Sequence, residues 1–385
     1  MTDDILPGPN LGTVRPLLVS LLASLLLGLS LYSNPVLAEQ RGVDVQVVAD
    51  FDKPWAMTFL PDGRSLITEK RGELLLVTRD GASTRVANVP DVAYGGQGGL
   101  GDVALHPDFA GNGLIYLSYV EEQSGRYGAV VARARLLFDN TGAVLDDWDT
   151  VWRQDPRTTG RGHYGHRILF GPDGYLWISS GDRQKFDPAQ DMSANLGKIL
   201  RLQDDGSIPL DNPFADQSGV AGQVWSLGHR NPLGLAFDRD GRLWSVEMGP
   251  QGGDELNLIR RAANYGYPIV SNGNHYDGRE IPDHDTRDEF TAPVLSWTPV
   301  ISPADLTVYT GSEFPDWQGS ALIAGLSAQG IVRVSLDGDR AQEVERIAMG
   351  ARIRAVTQGP DGAVWVLEDG RGDSKGRLLR LRRPR

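Results

Sequence analysis

The stretch Gly171–Asp182, GPDGYLWISSGD, decides the fold, because a tight turn here leads directly into a short strand-forming run. Pro presets φ early in such a turn and Gly accepts a positive φ late in it, so Pro-Asp-Gly predicts a chain reversal. The residues that follow are aromatic, β-branched and small, as in a half-buried strand. The stretch therefore predicts two antiparallel strands that meet at residues 172–174.

The same turn-and-strand pattern recurs along the chain. Its Asp stands at positions 62, 108, 173, 240, 316 and 361, so successive copies lie 46, 65, 67, 76 and 45 residues apart. A four-stranded propeller blade takes about 40–50 residues, and loops accommodate the surplus. We predict an all-β fold over residues 39–385, a six-bladed β-propeller with four-stranded antiparallel blades. Two β-sandwiches are the alternative, and one short helix is expected near residues 256–263.

Composition excludes several classes of protein. Of the 385 residues, 40% are hydrophobic and 23% are charged, which suffices for a folded core. The chain has no Cys, which excludes disulfide-stapled folds and Cys-ligated zinc or iron–sulfur sites. The formal net charge of −12 opposes contact with phosphate backbones, so we expect no nucleic-acid partner.

The N-terminal segment predicts export. Residues 17–32 form an uncharged, largely apolar run after Arg15, and Val36-Leu37-Ala38 then resembles a signal-peptidase site. This order is typical of a cleaved signal peptide, here residues 1–38. We expect the mature protein to be periplasmic or secreted. A retained anchor is the alternative, and only in that case is the membrane an expected partner.

Two glycine-rich clusters carry candidate functional residues. In residues 95–101, several Gly surround Gln97, so the backbone can approach a ligand while one amide contacts it. In the second cluster, His163 and Asp182 stand at the two ends of a predicted strand hairpin. If they meet, the carboxylate fixes the imidazole tautomer and raises its basicity. Structural roles are the alternative for each cluster, and a zinc site at His163 and His166 is a third interpretation.

Three further clusters combine charge with backbone irregularity. Arg230 and Asn231 precede a Pro and offer a planar fork and an amide. Residues 247–257 combine carboxylates with Gly and Pro, which suits a hard cation such as Ca²⁺. Arg352 and Arg354 share one face of a strand. A surface turn, an acidic loop and a solvated face are the alternatives, but together the clusters predict a carboxylate-bearing ligand beside Ca²⁺ and a His base.

The ordered set of motifs resembles one known family. GQGGL at 96–100, the His163–Arg167 segment with GD at 181–182, RNPLG at 230–234, GPQGGDELN at 249–257, NYGYP at 264–268 and RIR at 352–354 occur in the family's order. The chain is similar to the soluble pyrroloquinoline quinone (PQQ)-dependent aldose sugar dehydrogenases, the glucose/sorbosone dehydrogenase-like propellers. The matching stretches run from Pro54-Trp55 to the last turn-and-strand copy.

The resemblance implies a role for each matching residue. His163 would be the general base and Asp182 would orient it. The carbonyls of Gly249 and Pro250 would bind the Ca²⁺ that touches the cofactor, and Glu255 with the Tyr265 carbonyl would form a second, structural Ca²⁺ site. The residues that would hold PQQ are Gln97, His163, Arg230, Asn231, Tyr276, Arg352 and Arg354.

The implied activity is oxidation of aldose sugars at C1 to lactones, by hydride transfer to Ca²⁺-bound PQQ. Electrons would then pass to an external acceptor, a quinone or a small redox carrier. The sequence departs from the family at Ser327, where a Lys that pairs with PQQ is expected, and at His166, where a small residue is usual. A non-enzymatic envelope propeller that binds protein or glycan and a Ca²⁺-dependent lactonase are the alternative functions.

Overall fold

The computed structural model describes residues 42–138, 142–372 and 374–384, which form an almost entirely β structure. The predicted signal segment, residues 1–38, lies outside the described residues. Within them, the helical elements are α1 Phe109–Asn112 and the short 3₁₀ turns Asp187–Ala189, Gly219–Gln223, His284–Thr286 and Pro315–Trp317. No helix in the described parts of the chain has the length and apolarity to cross a bilayer.

The strands are short and mostly buried. Those of the first half are β1 Asp44–Asp50, β2 Pro54–Phe59, β3 Ser65–Glu69, β4 Glu73–Val77, β5 Ser83–Ala87, β6 Leu100–Leu105, β7 Leu114–Gln123, β8 Arg126–Phe138, β9 Ala143–Arg153, β10 Gly165–Phe170, β11 Leu176–Ser180 and β12 Lys198–Leu202. Those of the second half are β13 Val224–Leu227, β14 Pro232–Phe237, β15 Leu243–Glu247, β16 Asp254–Leu258, β17 Leu295–Trp297, β18 Pro303–Val308, β19 Ala321–Gly325, β20 Gly330–Asp337, β21 Arg340–Ala348, β22 Ile353–Gln358, β23 Val364–Glu368 and β24 Arg377–Arg382.

The strands assemble into repeated four-stranded antiparallel units. Four units are separate sheets, in the orders β10-β11-β12-β13, β14-β15-β16-β17, β18-β19-β20-β21 and β1-β24-β23-β22. The β2–β5 and β6–β9 units share one eight-stranded sheet, because β5 and β9 pair in parallel at Val86↔Ala143 and Ala87↔Val144. The expectation of an all-β fold with four-stranded antiparallel sheets is confirmed.

The repeated turn has the same place in every unit. Each Asp-containing copy joins the first and second strands of a unit, as at residues 171–174 between β10 and β11. The first strands also contact one another in a closed cycle, β2 to β6, β10, β14, β18, β22 and back to β2. The expected helix near residues 256–263 is wrong, because 254–258 is strand β16, buried on both faces and therefore without a strand-like alternation.

A buried ion-pair network ties the first strands together. The Arg167 guanidinium on β10 lies 3.1 Å from Asp102 of β6 and 3.4 Å from Asp305 of β18, and it donates to the Leu233 carbonyl of β14. It also stacks 4.2 Å from the Trp55 ring of β2. Removing one member of such a network leaves an uncompensated buried charge, so the network fixes how these strands meet.

Candidate active site

A cavity of about 170 Å³ opens at one edge of the sheets. In an antiparallel unit, the start of the first strand lies beside the end of the second, so residues far apart in sequence share this edge. Four of the predicted binding residues line the cavity: Gln97, Asn231, Arg352 and Arg354. The rest of the wall is formed by Trp55, Lys70, Tyr164, Gly165, His166, Leu233, Met248, Ser302, Leu326 and Arg371.

The cavity wall is strongly cationic. Lys70, Arg352, Arg354 and Arg371 contribute to it, and none of the described Asp or Glu residues lines it. A low-dielectric concave wall concentrates the field of such charges. The cavity is therefore suited to an anion with several negative groups.

A His–Asp pair lies next to this cavity. His163 Nδ1 is 2.7 Å from Asp182 Oδ1, and both side chains are buried. Burial lowers the pKa of His163, the Asp182 hydrogen bond opposes this shift, and the Arg230 charge adds to it. The imidazole is therefore neutral at neutral pH. With Nδ1–H donated to the carboxylate, Nε2 carries the free lone pair and can accept a proton.

Two side-chain amides hold the backbone segment that carries the His163 ring. The His163 N–H donates to Gln97 Oε1 at 2.7 Å, and the Gly165 N–H donates to Asn231 Oδ1 at 3.1 Å. His163 itself has a φ of 48°, a conformation uncommon for a non-Gly residue and typical of functional sites. Two cavity-lining amides thus hold the two ends of the segment that carries the imidazole.

The glycines next to Gln97 are required by close packing. Gly99 has a φ of 144°, and a Cβ added there would overlap the Lys70 carbonyl oxygen. The Leu100 N–H donates to that same carbonyl at 3.1 Å. The glycine-rich segment therefore lies flat against the residues that follow β3, which brings Gln97 to the cavity.

Arg352 and Arg354 are held by one buried carboxylate. Their Nε atoms donate to the two oxygens of Asp369 at 2.9 and 2.8 Å. Burial raises the pKa of Asp369, but the Arg354 and Arg352 charges more than offset this and hold it below its ordinary value. Two guanidinium groups share one negative charge, so the pair retains a net positive charge beside the cavity.

Arg230 is buried with an unsatisfied donor. Its Nη1 donates to the carbonyls of Met248 at 2.9 Å and Gly249 at 2.7 Å, whereas its Nε is buried without a partner among the described residues. Its guanidinium lies 5.9 Å from the ring centre of Tyr276, an exposed residue that does not line the cavity. An unsatisfied buried donor close to a cationic wall fits a polycarboxylate ligand such as PQQ.

The predicted calcium residues lie in the β14–β17 unit and its loops. The Gly249 carbonyl already accepts from Arg230, and Pro250 beside it is buried. The described residues contain no group of three or more His, Cys, Asp or Glu side chains able to hold a metal. A cation at Gly249 and Pro250 would therefore depend on backbone oxygens and would compete with a guanidinium.

Glu255 lies beside another buried carboxylate. It faces Glu247 across β15 and β16, and Asn257 Nδ2 donates to both side chains at 3.0 Å. Burial and the Glu247 charge raise the pKa of Glu255 well above its usual range. Asn257 Oδ1 is buried without a partner in the described structure, and the Tyr265 carbonyl lies 3.1 Å from His284 Nε2. These oxygens are of the type that Ca²⁺ prefers.

Comparisons with known proteins place the chain in a family. The family model for glucose/sorbosone dehydrogenases matches residues 51–380. The chain belongs to the glucose/sorbosone dehydrogenase family. It is 39% identical over 360 residues to aldose sugar dehydrogenase YliI of Escherichia coli K12, covering 91% of this chain and 95% of that relative.

Solved structures of family members have the same architecture. The soluble aldose sugar dehydrogenase of E. coli in the apo form superposes with a TM-score of 0.83 at 40% identity, over 88% of this chain and 99% of that one. The PQQ-bound aldose sugar dehydrogenase of Streptomyces coelicolor gives 0.74 at 31% identity, over 89% and 98%. The predicted family and the β-propeller fold are thereby confirmed.

Sequence reasoning missed part of the cavity wall in this member of the glucose/sorbosone dehydrogenase family. Lys70 and Arg371 follow the second strands of two units, where a charged residue ordinarily indicates a solvated turn. Arg167 stood in a predicted cluster but acts within the central ion-pair network. Ser327, at the position expected to be Lys, donates to the Val300 carbonyl at 2.9 Å and does not line the cavity.

Proposed function

We propose that this protein is a PQQ-dependent aldose sugar dehydrogenase that oxidises the sugar at C1 to the lactone. The observation that carries the proposal is a cationic cavity adjoining a neutral, carboxylate-oriented histidine, His163, in a member of this family. Relatives of similar length are named aldose sugar dehydrogenases, and the S. coelicolor neighbour binds PQQ.

The cavity residues would bind and orient the cofactor. Arg352 and Arg354 would face its carboxylates, with Arg230 and its unsatisfied Nε as a further donor. Gln97 and Asn231 use their side-chain oxygens to hold the His163 segment, which leaves their NH₂ groups for the ligand. Tyr276 would cover the outer side of the bound cofactor. PQQ supplies an ortho-quinone that accepts hydride and thereby two electrons.

The proton step would take place at His163 Nε2. The anomeric hydroxyl of the aldose would donate its proton there, while Asp182 stabilises the resulting imidazolium through Nδ1–H. The lowered pKa of His163 keeps it unprotonated before each turnover. His163 thus removes the hydroxyl proton as the C1 hydride leaves, and the lactone carbonyl forms without a buried alkoxide.

Calcium, electron transfer and location are further parts of the proposal. Backbone oxygens of Gly249 and Pro250 would bind one Ca²⁺, and Glu255 with the Tyr265 carbonyl would bind another. Electrons would pass to an external quinone or small redox carrier. We also infer six propeller blades from the closed cycle of first-strand contacts, with residues 39–385 as the catalytic domain. A signal segment at 1–38 would direct the protein to the periplasm or outside the cell.

Reconstitution tests this function. We would add PQQ and Ca²⁺ to the purified protein and follow reduction of an artificial electron acceptor over a broad panel of aldoses. His163→Asn should retain PQQ binding and lose turnover by about 10²–10⁴-fold. No acceptor reduction with any aldose contradicts the proposal. Turnover of sugar lactones without PQQ would indicate a lactonase instead, and absence of PQQ binding would indicate a non-enzymatic propeller.

A further inference from the structure

Lys70 is a buried ammonium group without a carboxylate partner. It follows strand β3, is 7% exposed, and lines the cavity. Its Nζ makes one hydrogen bond within the described structure, a donation to the Gly96 carbonyl at 3.1 Å. An ammonium carries three N–H donors, and burying a charge without compensation is costly. The other two N–H donors of Lys70 have no hydrogen-bond acceptor in the described structure.

The charges around Lys70 make this position more unfavourable. Burial lowers the pKa of Lys70 to about 8, and the charges of Arg354, Arg371 and Lys53 add to this shift while that of Asp369 opposes it. The three neighbours that add to the shift are themselves cations. Mutual repulsion within the wall is relieved only by an anion, because protein cations cannot neutralise one another.

The Asp369 charge offsets only part of this repulsion at Lys70. Asp369 already forms hydrogen bonds to both Arg352 and Arg354. His166, which also lines the wall, has its pKa lowered to about 3 by burial and is neutral. Four wall cations set against one shared carboxylate leave the wall positively charged, which suits the carboxylates of PQQ.

We propose that Lys70 is a ligand-binding residue of this cavity, whose free N–H groups donate to a carboxylate of the bound cofactor. The inference rests on the proposed function, since PQQ is the tricarboxylate that the cavity would hold. Lys70 belongs to the β2–β5 unit, whereas Arg352 and Arg354 belong to the unit that contains β22. Two separate units would therefore contact the carboxylates.

A purely structural role for Lys70 makes different predictions. If its sole task were to hold the Gly96 carbonyl, its loss would shift the glycine-rich segment and lower stability, with no specific effect on an anion. A ligand-binding role links affinity to the protonation of Lys70. A bound anion favours the ammonium and raises its pKa, so binding takes up protons at a pH above about 8, and affinity falls as the pH rises through that value.

Calorimetric titration of PQQ into the purified protein, in Ca²⁺-containing buffer, separates these roles. We expect Lys70→Met to weaken PQQ binding by about 10- to 100-fold near pH 7, the effect of one charge-assisted hydrogen bond. Lys375→Met is the matched control, because Lys375 is exposed and does not line the cavity, and it should bind like the wild type. Lys70→Arg should keep most of the affinity and lose its decline above about pH 8, since Arg stays protonated.

Two readouts other than turnover decide the inference. Wild-type binding measured in buffers of different ionisation enthalpy should show proton uptake at about pH 9, and Lys70→Met should show none. Equal PQQ affinity of the wild type and a folded Lys70→Met variant would overturn the inference and leave the proposed function intact. If Lys70→Met does not fold, Lys70→Arg decides, because a wild-type pH dependence in that variant contradicts the inference. Absence of PQQ binding by the wild type would overturn both.

Discussion

Replacing Asp182 with Asn tests the His–Asp pair at constant side-chain size. Asp182 Oδ1 accepts from His163 Nδ1 at 2.7 Å and from the Gln184 N–H at 3.0 Å, and Oδ2 accepts from the Phe186 N–H at 3.2 Å. Every neighbour of the carboxylate is thus a donor. Whichever way the Asn amide turns, its NH₂ group replaces an acceptor, so one contact is lost or the imidazole is driven to the tautomer with a proton on Nε2.

The substitution should shift the pH profile of the enzyme and also lower its rate. A hydrogen bond to a charged group contributes about 1.5–3 kcal/mol, and one pKa unit corresponds to about 1.36 kcal/mol. Removing the carboxylate that raises the pKa of His163 removes a contribution of this kind, so that pKa should move further down. The acid limb of kcat/KM moves to lower pH, yet kcat itself falls by about 10²–10⁴-fold, because the base is misoriented and weaker.

The assay is the pH dependence of acceptor reduction by the PQQ-loaded enzyme between about pH 4 and 8. His163 must be unprotonated to accept the hydroxyl proton, so activity is lost as the pH falls through its lowered pKa. Asp187→Asn is the matched control, since Asp187 is exposed in the same loop, and it should leave both kcat and the acid limb unchanged. A near-normal kcat for a folded Asp182→Asn variant, or an acid limb that does not move, would refute the reasoning.

Three further predictions concern metal binding and stability. Ca²⁺ should raise the Tm of Glu255→Gln less than that of the wild type, because the variant keeps only the site at Gly249 and Pro250. Without Ca²⁺ the variant should be at least as stable as the wild type, because burial and the Glu247 charge raise the pKa of Glu255. Equal Ca²⁺ shifts would disprove the Glu255 site. Arg354→Met should lower the free energy of unfolding by about 3 kcal/mol. This loss should be complete at pH values above the ordinary carboxyl pKa of 3.8 and should shrink progressively below it, because the paired Asp369 has a lowered pKa. Denaturant unfolding at several pH values measures this, and a pH-independent loss would contradict it. Lys198→Met removes the three hydrogen bonds that the ammonium donates to the carbonyls of Pro188, Ala189 and Leu196. It should cost at least about 2 kcal/mol in the same assay, so an unchanged midpoint would count against it.

The repeat architecture could be predicted because its signal is local. Each turn carries its own Asp, together with Pro, Gly or both, within four residues, so the first two strands of a unit are specified without reference to the rest of the chain. The join between β5 and β9 could not be predicted in this way. It depends on two residue pairs that are more than 50 positions apart, such as Val86 and Ala143, and pairing of that kind leaves no turn signal.

The candidate site was predictable to the extent that its residues stand in recognisable motifs. Arg352 lies just before β22 and Arg354 lies within it, and both reach one carboxylate, as their spacing indicates. Lys70 could not be found, because a Lys after a strand reads as a solvated residue unless its burial is known. The contact between Arg230 and the Gly249 carbonyl was also hidden, since backbone oxygens carry no sequence signature.

The absorbance spectrum of bound PQQ, recorded without oxygen before and after addition of an aldose, shows directly whether the sugar reduces the cofactor. No external acceptor is present, so the electrons must remain on the cofactor. We expect the spectrum to change from the oxidised to the reduced form in the wild type, and His163→Asn to bind PQQ but to change far more slowly. Bound PQQ whose spectrum stays oxidised with every aldose would contradict the proposed function.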